Sequence, residues 1–258
     1  MKYKIENGSV TIIGSNLNVT GDLIIPETIN DVPVTTIGES AFSGCSGLTS
    51  VTIPNSVTVI GTQAFQGCYG LTSVTISSNI SSIGDSAFVN CTGLTKVTLP
   101  NSITSIGQET FSGCSGLTSV TISNNVTYIG VEAFYGCSGL TSVTLPESVT
   151  SIGESAFEEC TGLTSVTLPS SVTEIGDFAF AGCSGLTSVI IGNSVTSIGI
   201  YAFYLCRGLT SVTIPDGVTE IGDKAFKGCS GLTNVIIPNK LKNIGTDAFP
   251  VETNIISK

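Results

Sequence analysis

The 258-residue chain contains no histidine and no tryptophan, and only one arginine and one methionine. Without His the usual pairings of a nucleophile with a base are missing, so no catalytic residue is expected and the chain does not read as an enzyme. The same absence leaves nine cysteines with neither His partners nor a C-x-x-C spacing, which excludes a zinc site. The acids lack the ligand spacing of a calcium loop, so neither a metal nor a cofactor is expected. Basic residues number nine against nineteen acids, a net charge of −10 with no basic stripe, and a nucleic-acid partner is excluded on that ground. Apolar runs extend only a few residues, too short for a transmembrane helix, so no membrane insertion is expected. Nor does the opening segment carry the apolar stretch of a secretion signal. Charged residues make up 11% and hydrophobic ones 41%, which rules out a disordered chain.

What the chain does have is a repeat. Leu recurs at 48, 71, 94, 117, 140, 163, 186, 209 and 232, and Cys at 45, 68, 91, 114, 137, 160, 183, 206 and 229, with no insertion or deletion. So short a period predicts one elongated domain in which each unit packs on its neighbours. Within a unit, Leu48, Val51 and Ile53 frame a short half-buried strand that Pro54 ends, because Pro has no N–H to extend a ladder. Val57 and Ile60 point inward, and the segment through Ala64 and Phe65 is expected to make one helical turn. Each unit thus offers eight apolar positions. The burial of these side chains, about 1.5–3 kcal/mol for each large one, is of the same order as the entropy of ordering the unit. Stacking must therefore supply the stability.

Leu140, Val143, Leu145-Pro146, Val149, Ile152-Gly153, Ala156-Phe157 and Cys160 match the motif of the BspA-like leucine-rich repeats one by one, and from about Leu23 to Phe249 the chain resembles that family. The resemblance implies a repeat solenoid, right-handed and curved, α/β to mainly β. One parallel β-sheet would form its concave face, with short helical turns or irregular segments on the convex face. It also implies recognition of a protein or surface glycan, often outside the cell. Residues 1–36 are expected to form an N-terminal cap, with a hairpin at Asn7-Gly8 and a degenerate first coil in which Leu23-Ile24-Ile25-Pro26 stands for Val51-Thr52-Ile53-Pro54. Residues 37–249 form the tandem repeats. Residues 250–258 form a closing cap in which Glu252 takes the place of Cys and Ile255 that of Leu.

Chemistry in the repeated positions reads as structural. The cysteines form a ladder of buried small hydrophobes with poor geometry for disulfides. Glu39, Asp85, Glu154, Asp177 and Asp223 follow Ile-Gly, where an acid caps a helical N-terminus. The Thr49 and Thr52 rows suit an exposed strand face, with an ice-binding hydroxyl array as a remote alternative. Asn90, Glu159 and Leu205 stand where other copies have Gly before Cys, which predicts that this position needs no positive φ; the Gly two residues after Cys, present in all nine copies, is the better candidate for a required turn geometry. Asn18-Val19-Thr20, Asn79-Ile80-Ser81, Asn90-Cys91-Thr92 and Asn125-Val126-Thr127 fit the N-glycosylation pattern at a frequency expected of a chain rich in Ser and Thr.

Specific information lies where a copy departs from the rest. On the strand face these departures are Lys96, Ile190, Asn234 and Ile236. On the turn after Ile-Gly they are Val131, Phe178, Ile200 and Tyr201, accompanied by Tyr135, Tyr204 and Arg207. Aromatic, aliphatic and Arg side chains at otherwise polar positions have the composition of an interface core. They point to a non-catalytic recognition scaffold, the alternative being an adhesive surface component that self-associates as a homo-oligomer. The expected location is the cell surface or outside the cell if a leader was trimmed, and otherwise the cytoplasm.

Overall fold

A computed structural model describes residues 1–15 and 19–258; Asn18, in the first glycosylation pattern, lies outside them. The chain winds into a β-solenoid of about 11 turns with no helix among the described residues. The strand set by Leu48 and Val51 forms at Gly47–Thr52 and recurs at Ser73–Thr75, Lys96–Thr98, Ser119–Thr121 and on to Ser188–Ile190, each parallel to the last and in the register of the 23-residue period; a separate sheet of the same kind begins at Ser211–Thr213. The longer sheet starts on Thr20–Ile24, where Leu23 pairs with Val51 as the degenerate first coil requires. Besides this expected sheet there is a second. Val59–Ile60, Ser82–Ile83 and their equivalents pair coil to coil as two-residue strands, because the extended Val57-to-Ile60 segment finds its backbone partners in the same segment of the coils before and after it.

The convex segments are turns, not helix. Ala64 N–H bonds to Gly61 O and Cys68 N–H to Phe65 O within a coil, whereas Gln63, Phe65 and Gly67 donate to Asp85, Ala87 and Val89 of the next coil at 2.8–3.0 Å. Alternating local and cross-coil bonds are incompatible with a helical ladder, and Gln63 (φ 56) and Gly67 (φ 69) are both left-handed. The position before Cys is thus left-handed even where it is not Gly: Asn90, Glu159 and Leu205 all have φ 58, contrary to the sequence expectation. The Gly two residues after Cys is needed for a different reason. A Cβ at Gly70, Gly116 or Gly162 would lie 2.4–2.5 Å from a carbonyl oxygen of the preceding coil.

Inside, ten phenylalanines from Phe42 to Phe249 stack with centroids 5.0–5.5 Å apart and planes within 13°, an offset arrangement that ring quadrupoles favour. The nine cysteines are buried thiols. From Cys68 to Cys229 each thiol donates to the Phe carbonyl 26 residues earlier, at 3.0–3.2 Å. Burial pushes Cys68, Cys137 and Cys183 up to about 12. Hydroxyls in the Thr49 row also turn to the backbone: Thr72, Thr95, Thr118, Thr164 and Thr187 donate to the Thr carbonyl one coil back.

At the ends the period gives way. The hairpin at Asn7-Gly8 forms, with both residues at positive φ. The insertion that carries Pro33 is a second tight hairpin, Ile29 pairing with Val32 across left-handed Asn30 and Asp31. At the other end, Asn254–Ser257 pairs with Asn234–Ile237 so that Ile255 faces Val235, a step of 20 rather than 23. Ile255 therefore takes the place of Val, not of Leu, and the final coil is three residues short.

Candidate interaction surface

One row of the turn face, two residues after Ile-Gly, is left-handed throughout: Ser40, Gln63, Ser86, Glu109, Glu132, Ser155, Phe178, Tyr201, Lys224 and Asp247 have φ 53–57. Their N–H groups donate across to the next coil, Phe178 to Ile200 O at 2.9 Å and Tyr201 to Asp223 O at 3.0 Å. Backbones held this way bring successive side chains of the row together. Phe178 and Tyr201 stack at 4.8 Å and 13°, and Tyr204 meets Tyr201 edge-on at 5.1 Å and 88°. Lys224 completes the row, donating from Nζ to the Tyr201 hydroxyl at 2.7 Å, and that hydroxyl holds the ammonium above its usual value.

The candidate residues fall on separate surfaces. Phe178, Tyr201 and Tyr204 form one cluster, with exposed Ile200 beside them, its N–H bonded to Asp177 Oδ1 at 2.7 Å. Val131 and exposed Tyr135 share that face but lie two coils before Phe178 and three before Tyr201, with Glu154 and Glu158 in the coil between them and Phe178. Arg207 is exposed near the Glu159 and Leu205 backbones, in a shallow groove with Thr161 and Ser184. Lys96, Ile190, Asn234 and Ile236 occupy the strand face, where Ile190 (62% exposed) pairs with Thr167 and Ile236 with Thr213. Sequence reasoning missed Lys224, although its step of 23 from Tyr201 was there to find.

Electrostatics grade along the turn face. Between residues 97 and 206 there are eight acids and no Lys or Arg. Burial, then the carboxylates of Glu109, Glu158 and Glu154, push the Glu132 carboxyl above its usual value. Past the aromatic cluster stand Lys224 and Lys227, the latter paired with Asp247 at 2.8 Å. The acids after Ile-Gly cap no helix. Asp85, Asp177 and Asp223 instead accept the N–H of Gln108, Ile200 and Thr246 one coil on, at 2.6–2.9 Å. No cluster of three or more metal-ligating side chains occurs among the described residues, and none of their helices is long and apolar enough to cross a membrane. Asn79 and Asn125, from the glycosylation patterns, spend their amides on the Asn55 and Asn101 carbonyls.

The family description "BspA type Leucine rich repeat region" matches residues 35–161 and 127–256, in six copies. The chain belongs to the BspA-type leucine-rich repeat family. Among solved structures of similar fold, a leucine-rich repeat protein from Bacteroides ovatus is 26% identical with a TM-score of 0.50, over 100% of this chain and 98% of its own. The T. pallidum leucine-rich repeat protein is likewise 26% identical, with a TM-score of 0.54, over 90% and 87%. Pneumococcal vaccine antigen PcpA shares the fold at 19% identity and a TM-score of 0.50, over 99% of this chain and 86% of its own. No curated protein matches the chain. Membership in the BspA-type family supports a repeat scaffold, and its motif residues are those of the buried core.

Proposed function

We propose that this BspA-type chain is a non-catalytic recognition scaffold, displayed at the cell surface, that binds a protein through the aromatic cluster on its turn face. The observation that carries the reading is the Phe178–Tyr201–Tyr204 cluster, side chains that the repeat does not need for its core, flanked by acids on one side and Lys224 on the other. Rigid rings beside charges of both signs are what interface hot spots are made of. The test is binding of immobilised protein to cell-surface extracts and purified surface proteins, wild type against the double variant Phe178→Ser, Tyr201→Ser. Ser occupies the same left-handed row at 40, 86 and 155, so the variant should fold. Loss of two hot-spot rings should weaken binding about 30-fold or more; unchanged binding refutes the assignment of the cluster.

A second reading, self-association, draws on the closing strand. Among the described residues Asn254–Ser257 pairs with Asn234–Ile237 alone and leaves Ile255 and Ile256 exposed, a strand edge of the kind that templates pairing. Sedimentation at rising concentration tests it: dimers or fibres abolished by Ile256→Lys support this reading, and a monomer at all concentrations ends it.

A further inference from the structure

The strand face is not uniform, and at one level thinned strand pairing coincides with a break in the row of two-residue strands. Where Ser50–Ser73 and Lys96–Ser119 open runs of three register pairs, the coils between them are joined by one pair, Lys96 with Ser73, as Ser142 and Ser165 are further along. The two-residue strands also part at this level, since Ser82–Ile83 ends one sheet and Ser105–Ile106 begins another. The turn side stays closed, with Ser86, Phe88 and Asn90 donating to Gln108, Thr110 and Ser112, and so does the approach to the strand, where Gly93 and Thr95 donate to the Tyr69 and Thr72 carbonyls. The coils therefore gape on the strand side, leaving a groove of about 410 Å³, a size suited to a small ligand. Val74 and Ile76 are half-exposed in it, whereas Val51, Ile53, Val97 and Leu99 in the adjoining coils are at most 3% exposed. Beside Ile76 lies Ser77, in place of the Pro of other copies, with its hydroxyl buried and without a hydrogen-bond partner.

Lys96 lines this groove. It is the only cation between residues 5 and 206 and is in no ion pair among the described residues. Ser73, Thr75, Ser78 and Thr98 add hydroxyls that both donate and accept, and Val74, Ile76 and Pro100 add an apolar surface. We infer that the groove binds a saccharide residue bearing a single carboxylate, of the sialic- or uronic-acid type. One lysine meets one carboxylate with a charge-assisted bond, the hydroxyls match sugar hydroxyls, and the apolar side chains receive the C–H face of the ring. A polyanion is disfavoured, because the rest of the molecule carries the excess negative charge. The inference rests on the recognition-scaffold reading but uses a different face from the aromatic cluster.

The test is titration of the intact chain with sialyllactose and with neutral lactose, followed by amide shifts in NMR spectra. Saturable shifts at residues 73–76 and 96–98, with lactose at least about tenfold weaker, are expected. Lys96→Ser restores the residue most copies carry, so it should fold and lose sialyllactose binding by a similar factor. The inference is overturned if shifts are absent at about 10 mM ligand, a concentration that detects binding weaker than millimolar. It is also overturned if lactose binds equally or Lys96→Ser binds unchanged. The variant lacking Phe178 and Tyr201 should still bind sialyllactose, so failure of the groove and failure of the aromatic surface are read separately.

Discussion

Replacing Glu159 with Gly should stabilise the protein, although it removes a side chain from the position before a core cysteine. Glu159 is exposed and sits at φ 58. A residue with a Cβ pays about 1–2 kcal/mol to hold that conformation, and Gly pays about 0.5–1 kcal/mol more backbone entropy than Ala. The difference leaves a net gain of about 0.5–1 kcal/mol, or roughly 1–4 °C in Tm for a chain of this size. Glu158 is adjacent, so part of any gain reports relief of like charge, and Glu159→Gln isolates that part. The measurement is the thermal midpoint of both variants by circular dichroism. Two comparisons sharpen it. Asn90→Gly, also at φ 58, should gain less because Asn tolerates the left-handed region. Gly136→Ala, at φ 66, should lose stability by about 1 kcal/mol. A Glu159→Gly protein no more stable than Glu159→Gln would show that the left-handed turn carries no strain, and the account of this position would fail.

Phe134→Ala should cost about 3–5 kcal/mol, because the ring is fully buried and stacked on both neighbours, while Phe249→Ala at the half-buried end of the ladder should cost far less; denaturant midpoints of the pair check it. The thiols should react slowly with a bulky disulfide reagent at pH 8 in the native state and readily in denaturant, since all nine are buried; rapid native labelling of several would sink the ladder. Glu132→Gln should raise Tm at pH 7. With the folded pKa raised, the native state favours the protonated carboxyl, so wild-type stability falls as pH rises through the window above 4.5. The gain of the variant should shrink as pH is lowered to 4.5, and a pH-independent difference would refute the electrostatic cause.

Much of the fold was legible because a period without insertions makes residues 23 apart neighbours before any coordinate is known. That logic placed Phe178 beside Tyr201, and matching Leu23-Ile24-Ile25-Pro26 to Val51-Thr52-Ile53-Pro54 placed Leu23 beside Val51. It failed at the final coil, where a three-residue deficit moved Ile255 to the place of Val, since period alone does not reveal where periodicity ends. It also failed at Glu159 and Leu205. Reading these as evidence against positive φ assumed that each residue chooses its own conformation. In the solenoid the choice is made by cross-coil bonds such as Glu159 N–H to Ala181 O at 2.8 Å, which hold the turn whatever side chain occupies it. For the candidate surface, sequence found the unusual residues and set Phe178 beside Tyr201, but it missed Lys224, whose part in the cluster rests on a side-chain contact with the Tyr201 hydroxyl.

The sequence by itself determined the spacing of the coils, the inward set of Leu, Val, Ile, Phe and Cys, and the absence of His chemistry, because burial and composition follow from residue type. Only the tertiary structure decided that the turn segments are left-handed, that a second sheet runs beside the first, and that two coils part beyond the Ser73–Lys96 pair. Those features arise from hydrogen bonds between coils, and the partners of such bonds exist only once the stack has formed.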